Sequence, residues 1–314
     1  PKSRFKMRIF VNPVCRYGRG RRIWALVEPA LHQRFGGFDA EEIRSVEGFE
    51  SQVSTALATG ERVFIAAGGD GTVNLLLNTL LNFGATGDDV ILGAVGLGSS
   101  NDFHKPFRPE SFVERIPVRM DWQNAVACDV IAVRYQNGGD GFSRRYCLIN
   151  ASIGLTAEAN ALYNSRPRSI ALVQRISHEA AVVTSALQTI ARYRNISAEL
   201  SLEHQPAEPF RVTNLGVIKN PHFAGGLCYD TAIRPDDGQL GVNLCAGMTK
   251  WEAVMTLLRL YRKDFAGHPK TYSWLAGEFG LKSKTPFALE MDGEVVKTDR
   301  AVFNVLPGLM RCCA

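Results

Sequence analysis

The sequence predicts a two-domain α/β chain in which a mostly parallel sheet with crossover helices precedes a β-rich domain of antiparallel, sandwich-like character. Short apolar runs alternate with helical patterns through the first third of the chain. From about residue 124 that alternation gives way to closely spaced strand-like runs and glycine-rich turn chemistry. The length, 314 residues, is long for one compact domain and suits two.

Met7–Asn12 reads as the first strand, and Arg22–Leu31 as the helix after a glycine-containing loop. A second strand is expected over Glu42–Val46, a helix over Phe49–Thr59, a third strand over Arg62–Ala67, a helix over Val73–Leu81 and a fourth strand over Val90–Val95. Further on, Ala127–Tyr135 and Arg145–Ile153 flank Asn137-Gly138-Gly139-Asp140-Gly141, whose glycines supply the positive φ of a hairpin turn. One long amphipathic helix is expected between Ser169 and Tyr193. Strands follow at Ile196–Glu203, Arg211–Lys219, Leu240–Ala246, Phe287–Met291 and Ala301–Leu306, interrupted by a helix at Lys250–Asp264. The domains are therefore drawn as 1–124 and 125–300, with 301–314 a C-terminal segment for which a return to the first domain is one option.

Composition excludes several classes. Hydrophobic residues at 46% and charged residues at 21% are globular proportions, not those of a disordered or collagen-like chain. No run of 18 uninterrupted apolar residues occurs, since Arg175, His178 and Glu179 break the best stretch, so any membrane contact is expected to be peripheral. Seven cysteines, scattered apart from the adjacent Cys312 and Cys313, form neither a zinc pair nor a disulfide framework and fit a reducing, cytoplasmic setting. The opening residues run from a short basic stretch straight into Met7-Arg8-Ile9-Phe10-Val11, without a signal-peptide core. A net charge of +5 does not by itself point to nucleic acid. Its distribution is uneven: Lys2, Arg4, Lys6, Arg8, Arg16, Arg19, Arg21 and Arg22 precede the first acid, Glu28, and suggest an anionic partner at that end.

The sharpest chemical signal is Gly68-Gly69-Asp70-Gly71-Thr72, directly between an apolar strand and a helical run. Without side chains the backbone can approach phosphate oxygens closely, and amides at a helix start favour an anion. Asp70 suits a ribose hydroxyl or Mg²⁺ and not bare phosphate. A second loop, Gly98-Ser99-Ser100-Asn101-Asp102-Phe103, follows the fourth strand; open α/β sheets bind ligands at such strand ends, so both loops can face one crevice. Asp292-Gly293-Glu294 reads as a hairpin turn between two apolar runs, and Arg234-Pro235-Asp236-Asp237-Gly238-Gln239 as an Asp-Gly turn.

These motifs, with Asn12-Pro13 and the following Gly18 and Gly20, resemble in kind and order those of the diacylglycerol kinase catalytic-domain family of lipid kinases, to which sphingosine and ceramide kinases are related. The resemblance covers nearly the whole chain. It departs from the family pattern at Val14-Cys15-Arg16 and at Gly96-Leu97-Gly98-Ser99, where the family favours small hydroxyl residues and a proline. It implies ATP bound by Asn12, Ser45, Gly68, Gly69, Asp70, Gly71, Thr72, Gly98, Ser99 and Asn101, with Asp70 and Asp102 contributing to catalysis. Glu294 is implied as the acceptor of the substrate hydroxyl's proton, with Asp292 as the second choice. It further implies a structural Mg²⁺ held by the Asp237 carboxylate between the carbonyls of Arg234 and Gln239, all oxygen ligands.

The expected activity is transfer of the γ-phosphoryl of MgATP to a lipid hydroxyl at a membrane surface, by a protein associating peripherally and without nucleic acid; a homodimer is left open. Apolar faces on Ile170–Ile190 and Trp251–Phe265 are the expected acyl contacts. Two alternatives stand beside it. NAD kinases share Gly-Gly-Asp-Gly-Thr, although their Gly-Ser-Thr-Ala-Tyr-type segment is missing here, and a non-catalytic nucleotide- or lipid-binding module would keep the fold without the transfer.

Overall fold

A computed structural model describes residues 6–136, 141–165, 167–174, 177–203 and 205–314. The chain divides into two compact units, Pro1–Asp129 together with Gly308–Ala314, and Val130–Pro307.

The first unit opens with β1 (Met7–Val11), α1 (Cys15–Gly18), α2 (Gly20–Phe35), β2 (Asp39–Glu42), α3 (Val46–Ala58), β3 (Val63–Gly68), α4 (Asp70–Asn82) and β4 (Ile91–Gly96). β1 pairs in parallel with β2 and β3, and β3 in parallel with β4 from Val63↔Ile91 to Gly68↔Gly96. Two short strands, β5 (Phe112–Val113) and β6 (Ile116–Arg119), follow, and β6 runs antiparallel to β4. At the far end of the chain Arg311 and Cys312 return to pair in parallel with Ile91 and Leu92. Every residue of β3 is buried, which is why its sequence is one apolar run and not an alternation. One face packs Ile9, Ile65 and Val95 against Trp24, Val27 and Leu31 of α2. On the other, Phe10 meets Phe49 of α3 edge to face at 5.0 Å.

The second strand differs from the expected one. It is the polar segment Asp39–Glu42, an edge strand paired to β1 and exposed or half-buried throughout, so apolar periodicity does not mark it. Ser45, exposed, extends to accept the Gly48 N–H and caps α3, which takes Val46 into the helix.

The second unit contains β7 (Val126–Gln136, from Val130 onward), β8 (Phe142–Cys147), β9 (Asn150–Gly154), α5 (Leu155–Ser165), α6 (Arg168–Gln174), α7 (His178–Arg192), β10 (Ile196–Leu202) and β11 (Glu208–Ile218). It continues through β12 (His222–Phe223), β13 (Leu227–Cys228), β14 (Leu240–Ala246), α8 (Lys250–Tyr261), β15 (Thr271–Ala276), β16 (Glu278–Met291) and β17 (Glu294–Cys312, to Pro307 in this unit). Its pairings are antiparallel: β7 with β8, β10 with β11 and β16, β11 with β9 and β14, β14 with β15, and β16 with β9 and β17. Val133, Leu215, Val217, Val242, Phe279 and Phe303 belong to its core. A satellite cluster stacks Phe223 on Tyr229 at 4.8 Å and sets Tyr229 edge-on to Phe265 at 5.0 Å.

Two further expectations are corrected. The single helix over Ser169–Tyr193 is α6 and α7, because Ser177 accepts the Ala180 N–H as the N-cap of a new helix. The single strand over Arg145–Ile153 is β8 and β9, broken at Leu148–Ile149, whose amides turn to a side chain described below. Residues 137–140 of the expected hairpin turn lie outside the described residues; the pair Gln136↔Phe142 flanks them.

Candidate active site

In the first unit the site is built on the C-terminal ends of β1, β3 and β4. Gly68 ends β3 and Gly69 caps α4. A Cβ on Gly68 would lie 2.2 Å from Thr72 Oγ1, so the first turn of α4 folds over that position only because it is glycine. Thr72 Oγ1 in turn accepts from Asn12 Nδ2 at 3.0 Å, while Asn12 Oδ1 accepts the Val14 N–H. The Asn-Pro segment after β1 is thereby tied to the glycine loop after β3.

The loop after β4 is joined to the same place. Leu97 and Gly98 donate their N–H groups to Gly68 O at 2.8 and 3.1 Å, and a Cβ on Gly98 would stand 2.4 Å from Gly69 Cα. Two backbones approach so closely that no side chain fits between them. Asn101, left-handed at φ 49°, donates from Nδ2 to the carbonyls of Gly96 and Gly98 and so closes its own loop. Its Oδ1 is buried without a hydrogen-bond partner. Asp70 Oδ1 accepts the Phe103 N–H at 3.0 Å, fixing the turn that carries Asp102. Asn12, Gly68 to Thr72 and Gly98 to Asp102 thus form one constellation, in which Ser99 is half-buried; Ser45 is the helix cap described above.

The carboxylate of Asp102 is already engaged. Lys105 Nζ lies 2.6 Å from Oδ1, both side chains being 8% exposed. Removing either partner would take from a buried charge its counter-charge at 2.6 Å, at a cost of about 3–5 kcal/mol. Lys105 is a member of this site that motif reading missed; its signal in the sequence is the i,i+3 spacing from Asp102.

His104, beside this pair, is fully enclosed, and burial first, then the positive charge of Arg119, push its imidazole down from the ordinary 6.5 to about 3. A folded value below the unfolded one gives stability that is present above pH 6.5 and is lost as pH falls toward 3. Between pH 7 and 5 this group is expected to cost the wild type about 2 kcal/mol. Urea unfolding at both pH values should show His104→Gln losing that much less; equal losses would reject the assignment.

The basic opening is only partly available to an anion. Arg8, on β1, is held by Glu61 and Glu41, and Arg21 pairs with Glu42 at 2.6 Å; Lys2 and Arg4 lie outside the described residues. Arg8 therefore drops out of the anionic docking expected of this segment.

In the second unit the Asp-Gly-Glu segment is a two-residue hairpin turn. Asp292 and Gly293 have φ of 45° and 101°, and Met291 pairs with Glu294 across them, the handedness that a tight hairpin requires. Asp292 is no free base. Its Oδ2 accepts the Leu148 N–H at 2.9 Å, and its Oδ1 accepts the Ile149 and Asn150 N–H groups at 3.2 and 2.9 Å. The carboxylate, 5% exposed, is the anchor that breaks the β8–β9 run. Asn164 of α5 donates to Gly293 O, and Glu290 accepts from Ser152 Oγ and the Gly293 N–H; neither residue was marked by the sequence motifs. Glu294 differs from its neighbours: its side chain is 54% exposed, with Arg145 Nη2 4.0 Å from Oε2.

The Arg234–Gln239 loop does not fit the expected Mg²⁺. Lys219 Nζ lies 2.6 Å from Asp237 Oδ1 and 2.8 Å from Gln239 O, two of the three expected ligands. Arg234 meets the carboxylate through its N–H. Among the described residues no cluster of three or more His, Cys, Asp or Glu side chains offers a metal site.

A cavity of about 1060 Å³ in the second unit is lined by aromatic and basic residues including Tyr193, Phe210, Phe287, Arg192, Arg211 and Lys282. None of the expected catalytic, ATP-binding or metal-binding residues lines it, whereas Gln188 and Thr189 of the expected acyl-contact segment do.

The diacylglycerol kinase catalytic domain matches residues 6–133, and the domain described as a YegS C-terminal NAD kinase beta sandwich-like domain matches residues 150–314. The chain belongs to the diacylglycerol kinase catalytic-domain family of lipid kinases. A relative named "Probable lipid kinase YegS" from Escherichia coli O17:K52:H18 is 25% identical over 268 residues, covering 83% of this chain and 80% of its own. The protein of the same name from Shigella flexneri is equally similar over the same span. In fold, a diacylglycerol kinase structure from Bacillus anthracis str. Sterne superposes with a TM-score of 0.66 at 15% identity, covering 100% of this chain and 98% of that one.

Proposed function

We propose that the chain transfers the γ-phosphoryl group of ATP to a hydroxyl group of a lipid. The observation that carries this reading is the close approach of Gly69 and Gly98 at the start of α4, which ties the glycine loop to the Asn101–Asp102 turn, as the Asn12–Thr72 hydrogen bond ties it to the Asn-Pro segment. Bare backbone and a helix start favour a polyphosphate there. Mg²⁺ arriving with the nucleotide would supply charge neutralisation. The hydroxyl oxygen forms the new P–O bond as ADP departs, and Glu294 accepts the proton released from that oxygen. Such a reaction asks the protein mainly for positioning and electrostatics.

The lipid side of the reading rests on the second unit. Trp251, Met255 and Leu258 lie along one face of α8 and are 72%, 40% and 50% exposed, with Arg262 and Lys263 exposed at its end. An apolar stripe ending in cations suits an anionic bilayer surface, where each basic residue adds about 1 kcal/mol. Among the described residues no helix is long and apolar enough to cross a membrane.

The test is radiolabelled ATP offered with diacylglycerol, monoacylglycerol, a sphingoid base, ceramide or phosphatidylglycerol in mixed micelles, with NAD as a parallel acceptor. Label is expected in one lipid product. Asp70→Asn, which keeps an oxygen for the Phe103 N–H, should abolish transfer at unchanged Tm. Label in NAD would make the protein a NAD kinase, and nucleotide binding without label in any acceptor would make it a binding module.

A further inference from the structure

We infer that Lys219 is the resident cation of the Arg234–Gln239 loop, its ammonium standing where a divalent metal is expected. Lys219 follows directly on β11, and its N–H is fixed to Ile149 O at 2.8 Å. The register Ile218↔Gly241 brings this strand end alongside the residues that lead into β14, so the lysine stem reaches the loop without leaving the sheet. The side chain is 1% exposed and that of Asp237 18%. An ammonium so deep requires an anion and directed acceptors. It has both, in Asp237 Oδ1 at 2.6 Å and Gln239 O at 2.8 Å.

The rest of the loop is organised around the same carboxylate. Asp237 Oδ2 accepts the Arg234 N–H at 2.8 Å, and Oδ1 also accepts the Gln239 N–H at 3.1 Å. Mg²⁺ binds its oxygens at about 2.1 Å and holds nearly ideal octahedral geometry. Bound to Asp237 Oδ1, it would stand within about 5 Å of the Lys219 ammonium, whose repulsion cancels a large part of the carboxylate's attraction. The two cations compete for one site, and the lysine is covalently tethered to it. A loop ordered by a tethered cation keeps its shape when chelators remove divalent metal. The divalent requirement of the protein then belongs to the nucleotide alone.

The test uses the full chain without nucleotide, and none of its readouts depends on turnover. Wild-type Tm should be the same in EDTA and in millimolar Mg²⁺, and Mn²⁺ titration followed by electron paramagnetic resonance should find no saturable site. One saturable Mn²⁺ site that Asp237→Asn removes would overturn the inference, as would a Tm that falls in EDTA and returns with Mg²⁺. Lys219→Met, which keeps the length of the stem, should lower Tm, and its loss combined with that of Asp237→Asn should be less than the sum of the two. A Lys219→Met protein with wild-type Tm, or losses that add in full, would reject the lysine as the organising charge. If either variant fails to fold, the wild-type metal titration still decides.

Discussion

Glu294→Gln is expected to lower kcat by about 10²–10⁴-fold while leaving the KM for ATP unchanged, the signature of a general base removed from an intact site. Two features of the hairpin argue for Glu294 over Asp292. The Asp292 carboxylate is committed to three backbone N–H groups, whereas Glu294, two residues on, is half open to solvent with Arg145 Nη2 4.0 Å from its carboxylate. A base must reach a substrate oxygen at hydrogen-bond distance, and only the second of these side chains has room to do so. The substitution keeps the side chain's shape and touches no buried group, so Tm should not move. Steady-state kinetics with the lipid identified by the acceptor panel, alongside a melt of the same preparation, checks both halves. Undiminished turnover would dismiss Glu294 as the base, and an equal loss of kcat and Tm would make it structural.

What the sequence made legible follows from how each element is buried. β3 is enclosed on both faces, so its apolar run and the glycines after it could be placed closely from composition alone. The Asp292-Gly293 hairpin was equally legible, because a two-residue turn with both φ positive leaves few residue choices. β2 was not, since an edge strand of Asp39-Ala40-Glu41-Glu42 carries no apolar signal. The least legible features are side chains whose partners are far along the chain. Asp292 binds an amide 144 residues earlier, and nothing local to the turn says so. Lys219 is a single cation at the end of an apolar strand, 18 residues before the carboxylate it meets; only the β11–β14 pairing brings them together. Motifs therefore mark the loops of the candidate site, whereas the fold determines which acids in them are engaged by amides or by a lysine.

That division gives the second large effect. Asp292→Asn is expected to destabilise the second unit by about 3–5 kcal/mol, with activity lost as a consequence. Asn tolerates the left-handed φ of 45° nearly as well as Asp, so the turn itself is not strained. What changes is the acceptor inventory. The carboxylate offers two oxygens to the Leu148, Ile149 and Asn150 amides; the amide side chain offers one, and turns an NH₂ donor toward a group of donors. At least one buried N–H is left without its partner, and the charge-assisted character of the others is lost. The effect should be local before it is global. Hydrogen exchange should show protection falling first in the peptide spanning Leu148–Asn150, then in the β16–β17 hairpin, while β1, β3 and β4 of the first unit keep theirs. Urea unfolding supplies the magnitude. Wild-type protection at Leu148–Asn150 in Asp292→Asn would show that the three hydrogen bonds do not hold the break between β8 and β9, and would return Asp292 to consideration as a chemical group.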